Sequence, residues 1–234
     1  RDRSVSRGLG DVYKRQDSDA CLFIGGAGIG DLWIDQISLM PLDASEVSCG
    51  GWRTDFVESL RALDPGALRW PGGILSDWYD WEDAIGAEKD LRKPLYFAQW
   101  NATWMSNDVG IDEFLQLCEY LDIHPVINVN YATSTASHAA EFVEYVNGAV
   151  STAKGALRAS NGHSEPYAIT WWEIGNETWG SWVPNPSTAD VFASGYNDFY
   201  QAMTAVDPSI MCIGEGGDGN SYNPVSYTHL TLPT

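Results

Sequence analysis

The chain has 234 residues with 32 acids against 13 bases, a formal net charge of −19. So acidic a body repels nucleic acid and anionic membranes, whose phosphates require clustered Lys and Arg, and directs attention to neutral partners. Eleven Trp residues point the same way, because aromatic faces stack on the apolar faces of sugars. Cys21, Cys49, Cys118 and Cys212 are scattered, with neither CxxC nor Cys/His ligand spacing, so no metal, cofactor or dense disulfide framework is expected. No run of about 18 apolar residues offers a membrane span.

Both ends differ from the body. Residues 1–16 hold five of the 13 bases without an apolar period, and residues 225–234 carry no acid or base. They resemble translated adapter read-through at the edges of assembled metagenomic fragments, and we expect both to be non-native tails. The body, residues 17–224, then carries 8 bases against 30 acids.

In chain order, Asp31 to Pro41 alternates imperfectly and reads as a strand of an antiparallel sandwich, with residues 17–46 as the end of that domain. Its glycines, Gly25 to Gly28, form no phosphate loop, because no Lys-Ser/Thr follows. From residue 47 the period lengthens. Phe56, Val57, Leu60 and Leu63 line one helical face, stopped by Asp64-Pro65-Gly66. Ala67 to Trp70 is a short strand broken by Pro71-Gly72-Gly73. Ile111, Phe114, Leu115, Cys118 and Leu121 predict a helix, followed by a strand from His124 to Asn130. Phe142, Val143, Val146 and Val150 predict another helix over 137–150, and Ile169 to Ile174 another strand. Ser187 to Asp190 fits a Ser-x-x-acid cap for a helix carrying Phe192, Tyr196, Phe199, Met203 and Val206. A last strand covers Ile210 to Ile213.

This alternation implies a parallel sheet with helical crossovers. A doubly wound sheet and a (β/α)8 barrel both fit. Arg69, Asn130 and Glu177 stand at the C-terminal ends of different strands, which is how barrels assemble sites, and no dinucleotide turn appears. With about four strands visible, the expected fold is α/β, a partial (β/α)8 TIM barrel covering about strands 2–5. On the Asn176-Glu177 dipeptide alone, a solvated loop acid and a catalytic carboxylate are equally good readings.

Four motifs add to this: Leu68-Arg-Trp-Pro-Gly-Gly73, Trp78-Tyr-Asp-Trp-Glu-Asp-Ala-Ile-Gly86, Asn161-Gly-His-Ser-Glu-Pro-Tyr167 and Trp172-Glu-Ile-Gly-Asn-Glu177. In order and spacing the chain resembles the α-L-arabinofuranosidases of glycoside hydrolase family 51, from about Gly51 to Gly214. Asp31 to Pro41 resembles the last strand of the carbohydrate-binding β-sandwich that some members carry. The resemblance implies a retaining hydrolase that removes arabinofuranosyl residues from plant polysaccharides such as arabinoxylan or arabinan. In it Glu177 is the general acid/base and Asn176 binds the hydroxyl next to the anomeric carbon.

Arg69, Gly73, Trp104, Asn130, Trp179 and Trp182 are the further substrate-site candidates. Arg69 either orients the nucleophile or forms a structural ion pair, and Trp179 and Trp182 are expected as apolar neighbours of Glu177. Ile74 stands where many relatives carry Asn. The resemblance places the nucleophile on the seventh barrel strand, so this chain is expected to be an inactive fragment. Glu215, on the fifth strand, is misplaced for that role; Glu173 suits a barrel-lining one. His163 reads as structural, and Asp77, Asp80, Glu82 and Asp83 as loop residues that match no calcium loop. Expected partners are arabinose-containing oligo- or polysaccharides, with an oligomeric parent enzyme and an extracellular or periplasmic setting favoured over the cytoplasm. The alternatives are another retaining glycosidase of the same clan, a β-xylosidase or endoglucanase, and a carbohydrate-binding protein without hydrolysis.

Overall fold

The computed structural model describes residues 25, 27–31, 33, 50–100, 102–217, 222 and 223. It divides into two units, Arg1–Ile37 and Ser38–Thr234. In the first, the described residues form a bend at 28–30. The sandwich strand expected over 31–41 falls almost wholly outside the described residues, as do both expected tails.

The second unit runs α1 (Thr54–Leu63), β1 (Ala67–Trp70), β2 (Leu95–Phe97), β3 (Thr103–Met105), α2 (Ile111–Leu121), β4 (His124–Val129), α3 (Ala136–Asn147), α4 (Ala153–Ser160), β5 (Trp171–Ile174), α5 (Ala189–Val206) and β6 (Met211–Gly214). Strands β1, β4, β5 and β6 form one parallel sheet in that order. Helices connect successive strands, so the described part is a run of β/α units of a barrel wall.

Two kinds of register row organise the sheet. The row Trp70, Ile127, Trp172 and Cys212 lies beneath the helices. Ile127 and Trp172 are fully buried there, with Phe142 of α3 edge-on to Trp172 at 5.4 Å. Burial of each large apolar side chain in this layer contributes roughly 1.5–3 kcal/mol. The alternate rows, Arg69, Val126, Trp171 and Met211, then Asn128, Glu173 and Ile213, form the inner face. Trp171 and Met211 are 39% and 51% exposed on it.

Helix α2 buries Ile111, Phe114, Leu115 and Cys118, the face that its period predicts. Its first turn carries a bidentate pair. Arg92 Nη1 and Nη2 lie 2.9 and 2.8 Å from the two oxygens of Glu113, which also accepts the Gly110 amide at 2.8 Å. Beside it the Tyr145 hydroxyl donates to the buried Asp112 carboxyl, 2.9 and 2.8 Å from its oxygens. In α5, Gly195 makes room for Tyr131 at the end of β4; a Cβ at Gly195 would lie 2.2 Å from the Tyr131 hydroxyl oxygen.

Three expectations are corrected. The helix predicted over 137–150 stops at Asn147, and a separate helix, α4, follows. Instead of an apolar stripe, α4 is held by fully buried Arg158, which donates to the carbonyls of Tyr145, Gly148, His163 and Ser164. Ser187 does not cap α5: the cap position is Thr188, without a side-chain bond, and Ser187 instead ties the chain before α5 to the Glu177 loop, its amide donating to the Thr178 carbonyl at 2.7 Å. The β2–β3 hairpin was not expected, since three-residue strands are too short to show alternation.

Replacing one partner of a buried ion pair strands the other charge, at a cost of about 3–5 kcal/mol. Glu113→Ala should therefore lower the urea unfolding free energy by about that amount. Burial pushes the Asp112 carboxyl up to about 6, against the opposing Tyr145 hydrogen bond. Between about pH 4 and pH 6 the folded state then holds a proton that the unfolded chain has released, so stability falls as pH rises through that window. Thermal melts should show wild type losing stability relative to Asp112→Asn across it, and parallel curves would refute the assignment.

Candidate active site

The site is built where β5 leaves the sheet. Gly175, at φ 84°, ends the strand; a Cβ there would lie 3.0 Å from Thr178 Cγ2 and 3.3 Å from Tyr131 Cβ. Its carbonyl accepts from Asn128 Nδ2 at 2.7 Å, which ties the turn to β4. Asn176 and Thr178 are buried, and Glu177 between them is exposed. Glu177 has a left-handed backbone, φ 48°, and its carbonyl accepts the Gly180 amide at 2.7 Å. The chain thus turns one carboxylate outward between two inward side chains.

Arg69 and Asn176 stand beside it. The Arg69 Nε bonds Glu173 Oε2, and its Nη2 donates to Asn176 Oδ1 at 3.0 Å. Of the two readings of Arg69, this geometry is an ion pair that also orients Asn176. With Oδ1 so used, the buried Asn176 Nδ2 has no partner among the described residues, which leaves an aimed donor next to Glu177. Gly72 (φ 68°) passes close over Arg69, where a Cβ would lie 3.2 Å from Nη1. Gly73 (φ 59°) has open space at its Cβ position.

Trp182 touches Glu177 through its polar edge. Its Nε1 donates to Glu177 Oε2 at 2.9 Å, a fixed hydrogen bond where the sequence suggested an apolar wall. Trp179 packs edge-on against Trp182, ring centroids 5.1 Å apart, and donates to the Gly216 carbonyl at 3.2 Å.

Two further carboxyls converge on this place, and the sequence reading undervalued both. Asp77, read as a loop acid, is fully buried with neither oxygen hydrogen-bonded among the described residues. Burial, then the charges of Glu215 and Glu177, push it up to about 7 against the pull of Arg69. Glu215 follows β6 and accepts the Thr178 amide at 2.7 Å and the Thr178 hydroxyl. Burial pushes it up to about 7 as well, opposed by those hydrogen bonds. The signal available in the sequence was position alone: Asp77 in the turn after β1, Glu215 directly after β6.

Trp104 and Asn130 belong to a separate group. They line a cavity of about 310 Å3 with Trp78, Tyr96, Asp80 and His138. Trp104, 67% exposed on β3, leans on Tyr96 of β2 with ring centroids 4.9 Å apart. Asn130 accepts the Thr133 amide at 2.9 Å and donates to the Tyr79 carbonyl at 3.2 Å, the turn-forming use of asparagine. The Gln99 side-chain amide bonds the Trp182 carbonyl and so links the segment between β2 and β3 to the Glu177 loop. His163 stacks on Tyr167 at 3.9 Å and meets Glu119 at 3.2 Å, away from this end of the sheet. Among the described residues, Asp80, Glu82 and His138 have donor atoms within 4.8 Å of one another. Lys154, bonded to Glu82 and 2.8 Å from Glu141, already places a positive charge beside them.

Known proteins resemble this chain in sequence and fold. The family described as "Alpha-L-arabinofuranosidase 1 domain" matches residues 59–230. A probable alpha-L-arabinofuranosidase C from Aspergillus flavus is 37% identical over 78% of this chain and 36% of its own length. An intracellular exo-alpha-L-arabinofuranosidase from Bacteroides ovatus is 34% identical over 67% of this chain and 29% of its own. Among solved structures, the Thermotoga maritima alpha-L-arabinofuranosidase in complex with arabinose superposes with a TM-score of 0.73 at 35% identity, covering 77% of this chain and 37% of that one. The thermostable family 51 enzyme from Thermotoga petrophila gives the same values. The chain therefore spans about a third of the length of the curated relatives it matches. With the family model matching residues 59–230 and the fold shared with these enzymes, the chain belongs to the family 51 α-L-arabinofuranosidases.

Proposed function

We propose that this chain carries the acid/base half of a retaining α-L-arabinofuranosidase that releases arabinofuranosyl groups from plant polysaccharides such as arabinoxylan or arabinan. The supporting observation is the exposed Glu177 carboxyl at the C-terminal end of β5, held by Trp182 and flanked by the Asn176 amide, which has no partner among the described residues. Glu177 protonates the departing glycosidic oxygen while a second carboxylate, on a strand other than the four described, attacks the anomeric carbon. A covalent glycosyl-enzyme forms, and Glu177 then takes a proton from the water that hydrolyses it. Asn176 Nδ2 donates to the hydroxyl beside the anomeric carbon, and Arg69 keeps that amide from rotating. Trp104 and the cavity beside it receive the rest of the saccharide.

General acid catalysis contributes about 10²–10⁴-fold where the leaving group needs a proton. In the protein expressed from the whole reading frame, Glu177→Gln should lower kcat/KM on an alkyl or unactivated aryl α-L-arabinofuranoside by that order. A dinitrophenyl arabinoside, whose leaving group departs unprotonated, should be nearly unaffected. An undiminished rate on the poor leaving group would sink the assignment.

A further inference from the structure

We propose that Glu215, acting through Thr178, is the positioning residue that holds Glu177 in its working orientation. The proposal rests on Glu177 as the acid/base. Thr178 directly follows that acid and is fully buried. Its amide, hydroxyl and carbonyl are all engaged by residues distant in sequence. Its amide donates to Glu215 Oε1 at 2.7 Å. Its hydroxyl bonds the same oxygen and lies 3.0 Å from the Tyr222 hydroxyl. Its carbonyl accepts the Ser187 amide at 2.7 Å, just before α5. The Glu177 amide also faces the Glu215 carboxyl.

Successive backbone amides around a left-handed residue form a concave anion site. Here the occupant is a side chain of the same protein. That accounts for two otherwise unrelated facts: a glutamate at φ 48°, and a carboxyl buried to 9% exposure directly after β6. A left-handed non-glycine residue persists only where its surroundings over-determine it. Glu215 supplies that determination from the neighbouring strand, because the register pairs Ile174 with Gly214, the residue before it. Its effect is geometric: it fixes the peptide from which the Glu177 side chain springs, and Trp182 then fixes the carboxyl.

Misplacing a catalytic group by about 1 Å costs on the order of 10²-fold in rate. In the protein from the whole reading frame, Glu215→Ala and Thr178→Val should each lower kcat/KM on an unactivated arabinofuranoside by about that factor. The dinitrophenyl arabinoside should stay within about threefold, and Thr178→Ser, which keeps both donors, should behave as wild type. Equal losses on both substrates would show a merely structural residue, and no loss where Glu177→Gln does lose activity would show an idle one; either overturns the proposal. A crystal structure of Glu215→Ala separates this from the chemistry of Glu177. Departure of Glu177 from the left-handed region and loss of its Trp182 contact are expected. An unchanged turn would overturn the positioning role, whatever Glu177 does.

Discussion

The cleft depends on one backbone reversal, the left-handed turn at Glu177. A strand that simply ran on would alternate its side chains between the helices and the inner face. The reversal instead leaves Asn176 and Thr178 buried with the carboxylate standing out between them. Such a conformation costs on the order of 1–3 kcal/mol for a residue with a Cβ, and the hydrogen bonds gathered on Gly175 and Thr178 offset it. Gly175 is there because a side chain would press on Thr178 and Tyr131. The site is thus a strained loop on a rigid base.

The base is the inner face of the sheet. Asn128 from β4 and Arg69 from β1 both reach the β5 exit, one to the Gly175 carbonyl and one to Asn176. Glu173, one register row below, neutralises Arg69. Two other parallel strands therefore converge on two consecutive residues at the end of β5, as happens where barrel strands end together. Arg69 and the segment Glu173 to Asn176, 104 positions apart at their Arg69–Glu173 contact, thus form one hydrogen-bonded unit.

Much of this was legible in the sequence. The helices with strong apolar stripes, the four parallel strands and the Asn176-Glu177 exit follow from periodicity, glycine placement and strand ends. Features stabilised by single polar residues were not legible. Helix α4 has too few apolar residues to show a period and hangs on Arg158, whose partners are all backbone carbonyls. Asp77 resembled its acidic neighbours because burial, which distinguishes it, is a property of the folded chain. Glu215 was weighed only as a nucleophile. Its partner is an amide in the loop after β5, and main-chain donors leave no trace in residue types.

Gly195 gives the fold an unexpected fragility. Exchanging a mid-helix glycine for alanine is an ordinary route to thermostability, worth about 1 kcal/mol from helix propensity. In α5 the added methyl would strike the Tyr131 phenol, and Tyr131 also abuts Gly175. A substitution on a helix some twenty residues from Glu177 would thus be transmitted to its turn, so engineering for heat resistance by composition alone would here erode the candidate site's geometry.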